Sequence, residues 1–191
     1  MPALLLVACA GTGIRPGTDA GSDDSRRWQL AGKMGIKTNK FAESAGINWR
    51  QCGEQFDVRL SSPLGQTVAR IEGRGEKLMV WMEGREPVVT AAPEELLQEQ
   101  LGWSVPIRAL RYWVRGEGAP ASVSSAPAQI TGPANQPDAL AQLGWQVRYP
   151  AWHQSDSVNL PAKVILSDAQ LQATLLIREW QLGDGVECPP Q

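Results

Sequence analysis

The residues with the clearest chemistry stand at the start of the chain. Leu6-Val7-Ala8-Cys9 closes the apolar run "MPALLLVACA". A branched apolar residue, two small residues and a cysteine form a lipobox, in which the cysteine is acylated and becomes N-terminal after cleavage. Small residues before the cut suit a signal peptidase. Residues 1–8 are therefore expected to be a signal peptide, short and without a basic flank, and Cys9 the lipidated residue. Ala10 follows where an aspartate would, in enterobacterial lipoproteins, favour the inner membrane; the outer membrane is expected. Elsewhere the chemistry thins out. His153 is the single histidine and sits in "YPAWHQSD", which reads as a solvated surface loop. There is no G-x-S-x-G, no H-E-x-x-H and no Cys or His pair at metal spacing. No catalytic residue, metal site or cofactor is expected. Cys52 and Cys188 could pair in an oxidising compartment, but their spacing does not say whether they lie within reach.

The elements that position these residues follow from pattern. Residues 9–27, "CAGTGIRPGTDAGSDDSRR", are rich in Gly, Thr, Asp and Ser without an apolar period, and read as a flexible tether. The 191 residues carry a net charge of −2, which marks no nucleic-acid surface and no polybasic membrane surface. Past the start, no segment approaches the ~20 apolar residues of a membrane helix. The folded part begins near Trp28. Strands are expected around "KMGIKT", "GINWRQC", "EQFDVRLSS", "QTVARIEG", "EKLMVWME" and "REPVVTA", separated by glycine-containing turns, as in an antiparallel meander. Phe56, Val58 and Leu60 share one strand face, while Gln55, Asp57 and Arg59 share the other. A curved sheet with one dry face accounts for this. "APEELLQEQLGW" reads as a helix with Pro93 in its first turn, acidic Glu94 and Glu95 at its positive end and Gly102 at its stop. Its Leu96, Leu97 and Leu101 form an apolar stripe. "VPIRALRYWVRGEG" reads as a second short helix with Ile107, Leu110, Trp113 and Val114 on one face. Residues 116–137 read as a mobile Pro/Gly/Ser/Ala loop. Strands resume in "LGWQVRYPAWH", "PAKVILSD" and "LQATLLIREWQL". The fold class is mainly β (α+β), with both helices against one concave face of a single sheet.

Two features remain open on the residues alone. Eight tryptophans accompany two Phe and two Tyr; they could wall an apolar pocket or fill an ordinary core. "SSPLGQ" places Pro63 and Leu64 at a hairpin tip, where polar residues are usual. Ser62-Pro63-Leu64-Gly65 suits a type I turn, and Leu64 could either fold back onto a strand or project into solvent.

"RLSSPLGQTVARI", "EELLQEQLGWSVPIRALRYWVRG", "GWQVRYPAW", "LPAKVILSD" and "IREWQL" together resemble the LolB family of outer-membrane lipoprotein receptors, from about Trp28 to Leu182. The resemblance implies that residues 28–191 form a half-barrel: an open, curved antiparallel sheet, like an unclosed barrel, whose mouth is plugged by helices over an apolar cavity. It implies a monomer on the periplasmic face of the outer membrane, held there by its lipid anchor. Its partners would be a LolA-like periplasmic carrier and acylated lipoproteins as cargo, with no nucleotide and no nucleic acid. It also implies that Leu64, with Pro63 and Gly65, forms a loop that enters the membrane. By strand and helix alternation, the cavity wall is expected to include Trp49, Phe56, Val58, Leu60, Leu78, Val80, Leu96, Leu110, Trp113, Trp145 and Val147. One departure stands out: the family places a helix before the first strand, and "TDAGSDDSRR" is a poor helix. A structural or other apolar-ligand-binding outer-membrane lipoprotein is the competing reading; a structural one would have a filled core.

Overall fold

The computed structural model describes residues 27–74, 77–153 and 158–188. The expected signal peptide, Cys9 and nearly all of the tether lie outside them, as does the side chain of Leu101. Alternating side chains give long antiparallel strands: β1 (Arg27–Thr38), β2 (Ala42–Cys52), β3 (Gln55–Ser61), β4 (Thr67–Arg74), β5 (Lys77–Met82) and β6 (Val88–Thr90). Two helices follow, α1 (Pro93–Leu101) and α2 (Ile107–Trp113), then β7 (Gln129–Thr131), β8 (Ala139–Gln142), β9 (Trp145–His153), β10 (Leu160–Ser167) and β11 (Leu171–Leu182). All the strands join one sheet in the order β6-β5-β4-β3-β2-β1-β11-β10-β9-β8-β7. β1 lies at its centre, paired over eleven residues with β2 on one side and with β11 on the other, the latter ladder carrying a bulge at Ala31/Gly32. Bulges bend and twist a strand, so this one adds curvature at the centre of the sheet. The helices cover the concave face.

Three sequence expectations are corrected. The stretch 116–137 is not simply a mobile loop: Ala119 and Ser124 are buried, and Gln129–Thr131 is β7. Both β7 and β8 were missed because three or four residues are too few for alternation to show. β1 starts at Arg27, ahead of "KMGIKT", because Gly32 at the bulge interrupts the apolar pattern. His153 ends strand β9, not a loop, with Nε2 2.9 Å from the Ile177 carbonyl oxygen.

Since every neighbouring pair is antiparallel, alternate turns fall on the same rim. The turns after β1, β3, β5, β8 and β10 share one rim; the opposite rim carries the β2–β3 turn and the chain end. On the convex face Asp57 accepts hydrogen bonds from Arg50, Arg59 and Arg70 at 2.8–3.3 Å. Burial alone would raise its pKa, but the bonds and charges of Arg70 and Arg59 outweigh it and hold the carboxyl below its ordinary value. The β8–β9 turn is a two-residue hairpin with Leu143 at φ 55° and Gly144 at φ 79°. Leucine in the left-handed region costs roughly 1–2 kcal/mol, and asparagine is the residue such turns favour.

Cys52 and Cys188 do pair, with Cα atoms 5.8 Å apart across 136 residues of sequence. The bond fastens the tail after β11 to the end of β2 at the rim that closes the barrel. A loop of that length corresponds to about 5 kcal/mol in the chain-entropy account, and native disulfides contribute about 2–5 kcal/mol in practice. Replacing both cysteines by serine is expected to lower the melting temperature by roughly 5–15 °C, read by circular dichroism. Reductant should bring the native protein to the same value and leave the double variant unmoved.

Candidate functional site

The concave face is built in rows. Across β2, β3, β4 and β5, Trp49, Val58, Ile71 and Val80 stand opposite one another in register. One row nearer the turn rim are Ile47, Leu60, Ala69 and Met82. These rows, with Met34 and Ile36 of β1 and Leu166, Ala173 and Leu175 beyond it, wall a cavity of about 110 Å³. Leu97 of α1, Ile107 and Leu110 of α2, and Trp103 and Val105 between the helices roof it. Every lining side chain is apolar. Phe56 fills one corner because Gly73 faces it: a Cβ there would stand 2.1 Å from the ring, so any side chain would displace the ring from that corner.

The floor and the mouth differ. Toward the disulfide rim the barrel is closed by aromatics, with Trp28 5.1 Å from Trp49 and 5.6 Å from Trp180 between ring centres. Toward the turn rim, Met34, Ile36, Leu60, Ala69, Met82 and Trp103 continue out of the cavity into an open groove of about 670 Å³. That groove is lined further by Phe41, Ser62 and Pro63, and by the charged Glu43, Glu83 and Arg85. Beyond Pro63, Leu64 is 88% exposed. Its turn is held by the Gly65 amide donating to the Ser62 carbonyl at 2.9 Å and the Ser62 amide donating to the Gln66 carbonyl at 2.8 Å. Gly65 takes φ 84°, the left-handed step that closes a three-residue hairpin loop built on a type I turn. Leu64 therefore projects; it does not fold back.

Of the residues expected in the wall, Trp49, Phe56, Val58, Leu60, Val80 and Leu110 line the cavity. Leu78, Leu96, Trp113, Trp145 and Val147 do not. Leu78 lies on the same face beside the cavity, but is taken up in packed contact with the roof residues Leu97 and Ile107. Leu96 is turned away because adjacent helix residues diverge by about 100°, and Leu97 takes the inward direction. Trp113, Trp145 and Val147 are buried in solid core under β8 and β9, where the sheet is packed full. The tryptophans thus divide: Trp49 and Trp103 wall the cavity, while Trp28, Trp113 and Trp145 are core. The roof residues Trp103 and Val105 were missed, because they lie between helices where no period marks a face.

A buried polar knot holds the roof at this filled end. The Trp113 indole N–H and the Ala119 amide both donate to Gln142 Oε1 at 2.9 Å. Gln142 Nε2 donates to the carbonyls of Ala119 and Ala126 at 2.9 and 2.8 Å. The Tyr149 hydroxyl donates to the Trp113 carbonyl at 2.8 Å. Burial, and secondarily the charge of Glu117, pushes the Tyr149 phenol far above its ordinary pKa, so it stays a donor. Among its described residues, α1 meets the roof through Leu97 and is tied to the start of α2 by Glu94, which accepts from the Ile107 amide at 3.2 Å. Among the described residues, no group of His, Cys, Asp and Glu could hold a metal ion, and no helix is long and apolar enough to cross a membrane.

Comparison with known proteins gives a consistent result. A family model described as "Outer membrane lipoprotein LolB" matches residues 26–180. A protein of Pseudomonas fluorescens named outer-membrane lipoprotein LolB is 35% identical, over 92% of this chain and 90% of its own length. One of Chromohalobacter salexigens with the same name is 38% identical, over 81% and 71%. Among solved structures, a LolA superfamily protein from Nitrosomonas europaea shares the fold at TM-score 0.54 and 14% identity, covering 85% of this chain and 90% of that one.

The knot can be tested without touching the cavity. Gln142→Met keeps the side chain's length but leaves the Trp113 indole and Ala119 amide without an acceptor. Each buried unpaired group costs about 1–3 kcal/mol, so a loss of roughly 2–5 kcal/mol is expected in urea unfolding.

Proposed function

The chain belongs to the LolB family of outer membrane lipoproteins, and from that premise we propose how its own residues carry the family's task. That task is to receive, at the periplasmic face of the outer membrane, lipoproteins delivered by LolA. It involves no bond-making step, so the driving force is difference in affinity alone. The proposal is that Cys9 anchors the protein, that the cavity takes the cargo's acyl chains, and that Leu64 steers delivery. The observation that supports it best is continuity. An entirely apolar cavity shares Met34, Ile36, Leu60, Ala69, Met82 and Trp103 with an open groove that also carries Glu43, Glu83 and Arg85, and Pro63 of that groove stands beside an almost fully exposed leucine.

The cavity at about 110 Å³ is small beside the ~300–1,000 Å³ of pockets that enclose a drug-sized ligand. The roof must lift for cargo to enter. α1 is the part that moves, since α2 is tied down through Trp113 and Gln142 while α1 is held by Leu97 and by the Glu94 bond to the Ile107 amide. Gly102, at φ 74° after α1, gives the hinge. Each acyl CH₂ hidden from water contributes about 0.8 kcal/mol. Part of that gain is offset by prising Leu97 off Leu78 and Ile107, so the receptor holds cargo less tightly than a bilayer does. Leu64 entering the acyl layer gains roughly 1.5–3 kcal/mol. That is too little to anchor the protein but enough to turn the groove toward the membrane.

Two variants separate acceptance from delivery. Leu60→Glu sets a carboxylate where cavity and groove meet, and an unpaired charge there is costly; transfer from a LolA–lipoprotein complex should fall below detection in the folded variant. Leu64→Glu should fold normally and accept cargo at the native rate. Its incorporation of cargo into liposomes should fall about 10–100-fold, the rate equivalent of the 1.5–3 kcal/mol at stake. If Leu64→Glu lost acceptance, delivery and thermal stability together, Leu64 would be a folding residue and the delivery role would fall.

A further inference from the structure

The rim that carries the groove has a second leucine-tipped hairpin. Leu143 and Gly144 form the two-residue turn between β8 and β9, closing on the Gln142–Trp145 pair. Leu143 is 39% exposed, and the space around Gly144 is open. Leucine occupies a left-handed position that asparagine or glycine would fill without strain. A strained apolar residue at an exposed tip is the reverse of what solubility and stability favour.

Charge separates this hairpin from its neighbours on the rim. From Ala139 through Val147 the sequence "ALAQLGWQV" has no charged residue, and from Leu60 through Ala69 "LSSPLGQTVA" has none either. The β1–β2 turn carries Lys40, the β5–β6 turn Glu83, Arg85 and Glu86, and the β10–β11 turn Asp168. Among the described turns of this rim, the two charge-free ones are the two tipped by leucine. Only these could approach an apolar layer without desolvating a charge. Sheet order sets them apart: β2, β1, β11 and β10 lie between the two hairpins. At ~4.8 Å per strand they are roughly 29 Å apart along the curved sheet; the Leu64 hairpin borders the groove and the Leu143 hairpin lies on the same rim over the filled end.

We infer that the Leu143–Gly144 tip is a second point of contact with the lipid bilayer, which together with Leu64 fixes how the groove faces the membrane. The inference rests on the delivery role given to Leu64. One contact leaves the molecule free to swing about it; two, well separated along the rim, hold the rim parallel to the membrane surface.

The test uses the full lipidated chain with its disulfide oxidised, on vesicles of phosphatidylethanolamine and phosphatidylglycerol. An NBD fluorophore is attached through Leu143→Cys, Leu64→Cys or Lys40→Cys, and quenching by acyl-brominated lipid is read. Quenching at 143 and 64 but not at 40 is expected. Alongside, Leu143→Asn removes the apolar tip while suiting the turn. It should melt no lower than the native protein, accept cargo from the carrier at the native rate, and deliver it to vesicles about 3–10-fold more slowly. Quenching at 64 without quenching at 143 would overturn the inference and leave the Leu64 role standing. Silence at both would overturn both. A Leu143→Asn variant slowed in acceptance but not in delivery would also overturn it, assigning the tip to the carrier.

Discussion

The molecule depends on an apolar surface being kept apart from its cover. Burial of carbon surface favours closing any gap, at about 25 cal/mol per Å², and an empty apolar space loses dispersion contacts on every wall. A sheet and two helices left to themselves would collapse onto each other. Here the sheet is held by its ladders and by the bulge at Ala31/Gly32, and α2 is held at a set height by Gln142 and Tyr149. Hydrogen bonds are directional and hydrophobic contact is not. The directional knot under β8 and β9 therefore decides where the roof sits, and contact fills what remains. Packing is dense at that end and loose over β2 to β5, so one half of the concave face is core and the other encloses the cavity.

The apolar lining fits the role proposed for the cavity. A guest bound by its acyl chains would offer nothing to hydrogen-bond, so polar walls would have no partner to compensate their desolvation. Shape is equally undemanding: methionines at 34 and 82 and the ring of Phe56 over Gly73 give a lining that can re-pack around a flexible chain. Aromatics close the floor, so a chain entering from the groove cannot pass through to the disulfide rim.

Much of this was legible in the sequence, and the failures have physical causes. Alternation in "QFDVRL" identified the dry face, and Phe56, Val58 and Leu60 do line the cavity. The same rule could not tell a residue facing a void from one facing packed neighbours, since both are buried and apolar; Trp113, Trp145 and Val147 fell on the wrong side of that line. Leu96 failed because a leucine pair on a helix has two directions and the pattern does not choose between them. The pairing of Cys52 with Cys188 depends on two rim positions far apart in sequence, which local pattern cannot see. Leu64 drew notice because "PLG" is odd at a hairpin tip. Leu143 passed unremarked because "QLGWQV" continues an apolar run, and its left-handed backbone shows only in the fold.

An unclosed barrel has a cost that a closed one avoids. The sheet stops at β6 on one side and β7 on the other, and each of these strands presents unpaired amides and carbonyls along its outer flank. Extended polypeptide can add to such a flank by backbone pairing. For a protein that meets a stream of other chains, that would mean capture by their unfolded segments, or strand-to-strand fibres of its own copies. Both terminal strands are only three residues long, with Pro87 before one and Pro133 shortly after the other. Three residues offer too few bonds to nucleate a partner strand, and proline cannot donate to extend one. The sheet can thus remain open enough to breathe around a guest while staying a poor template for aggregation.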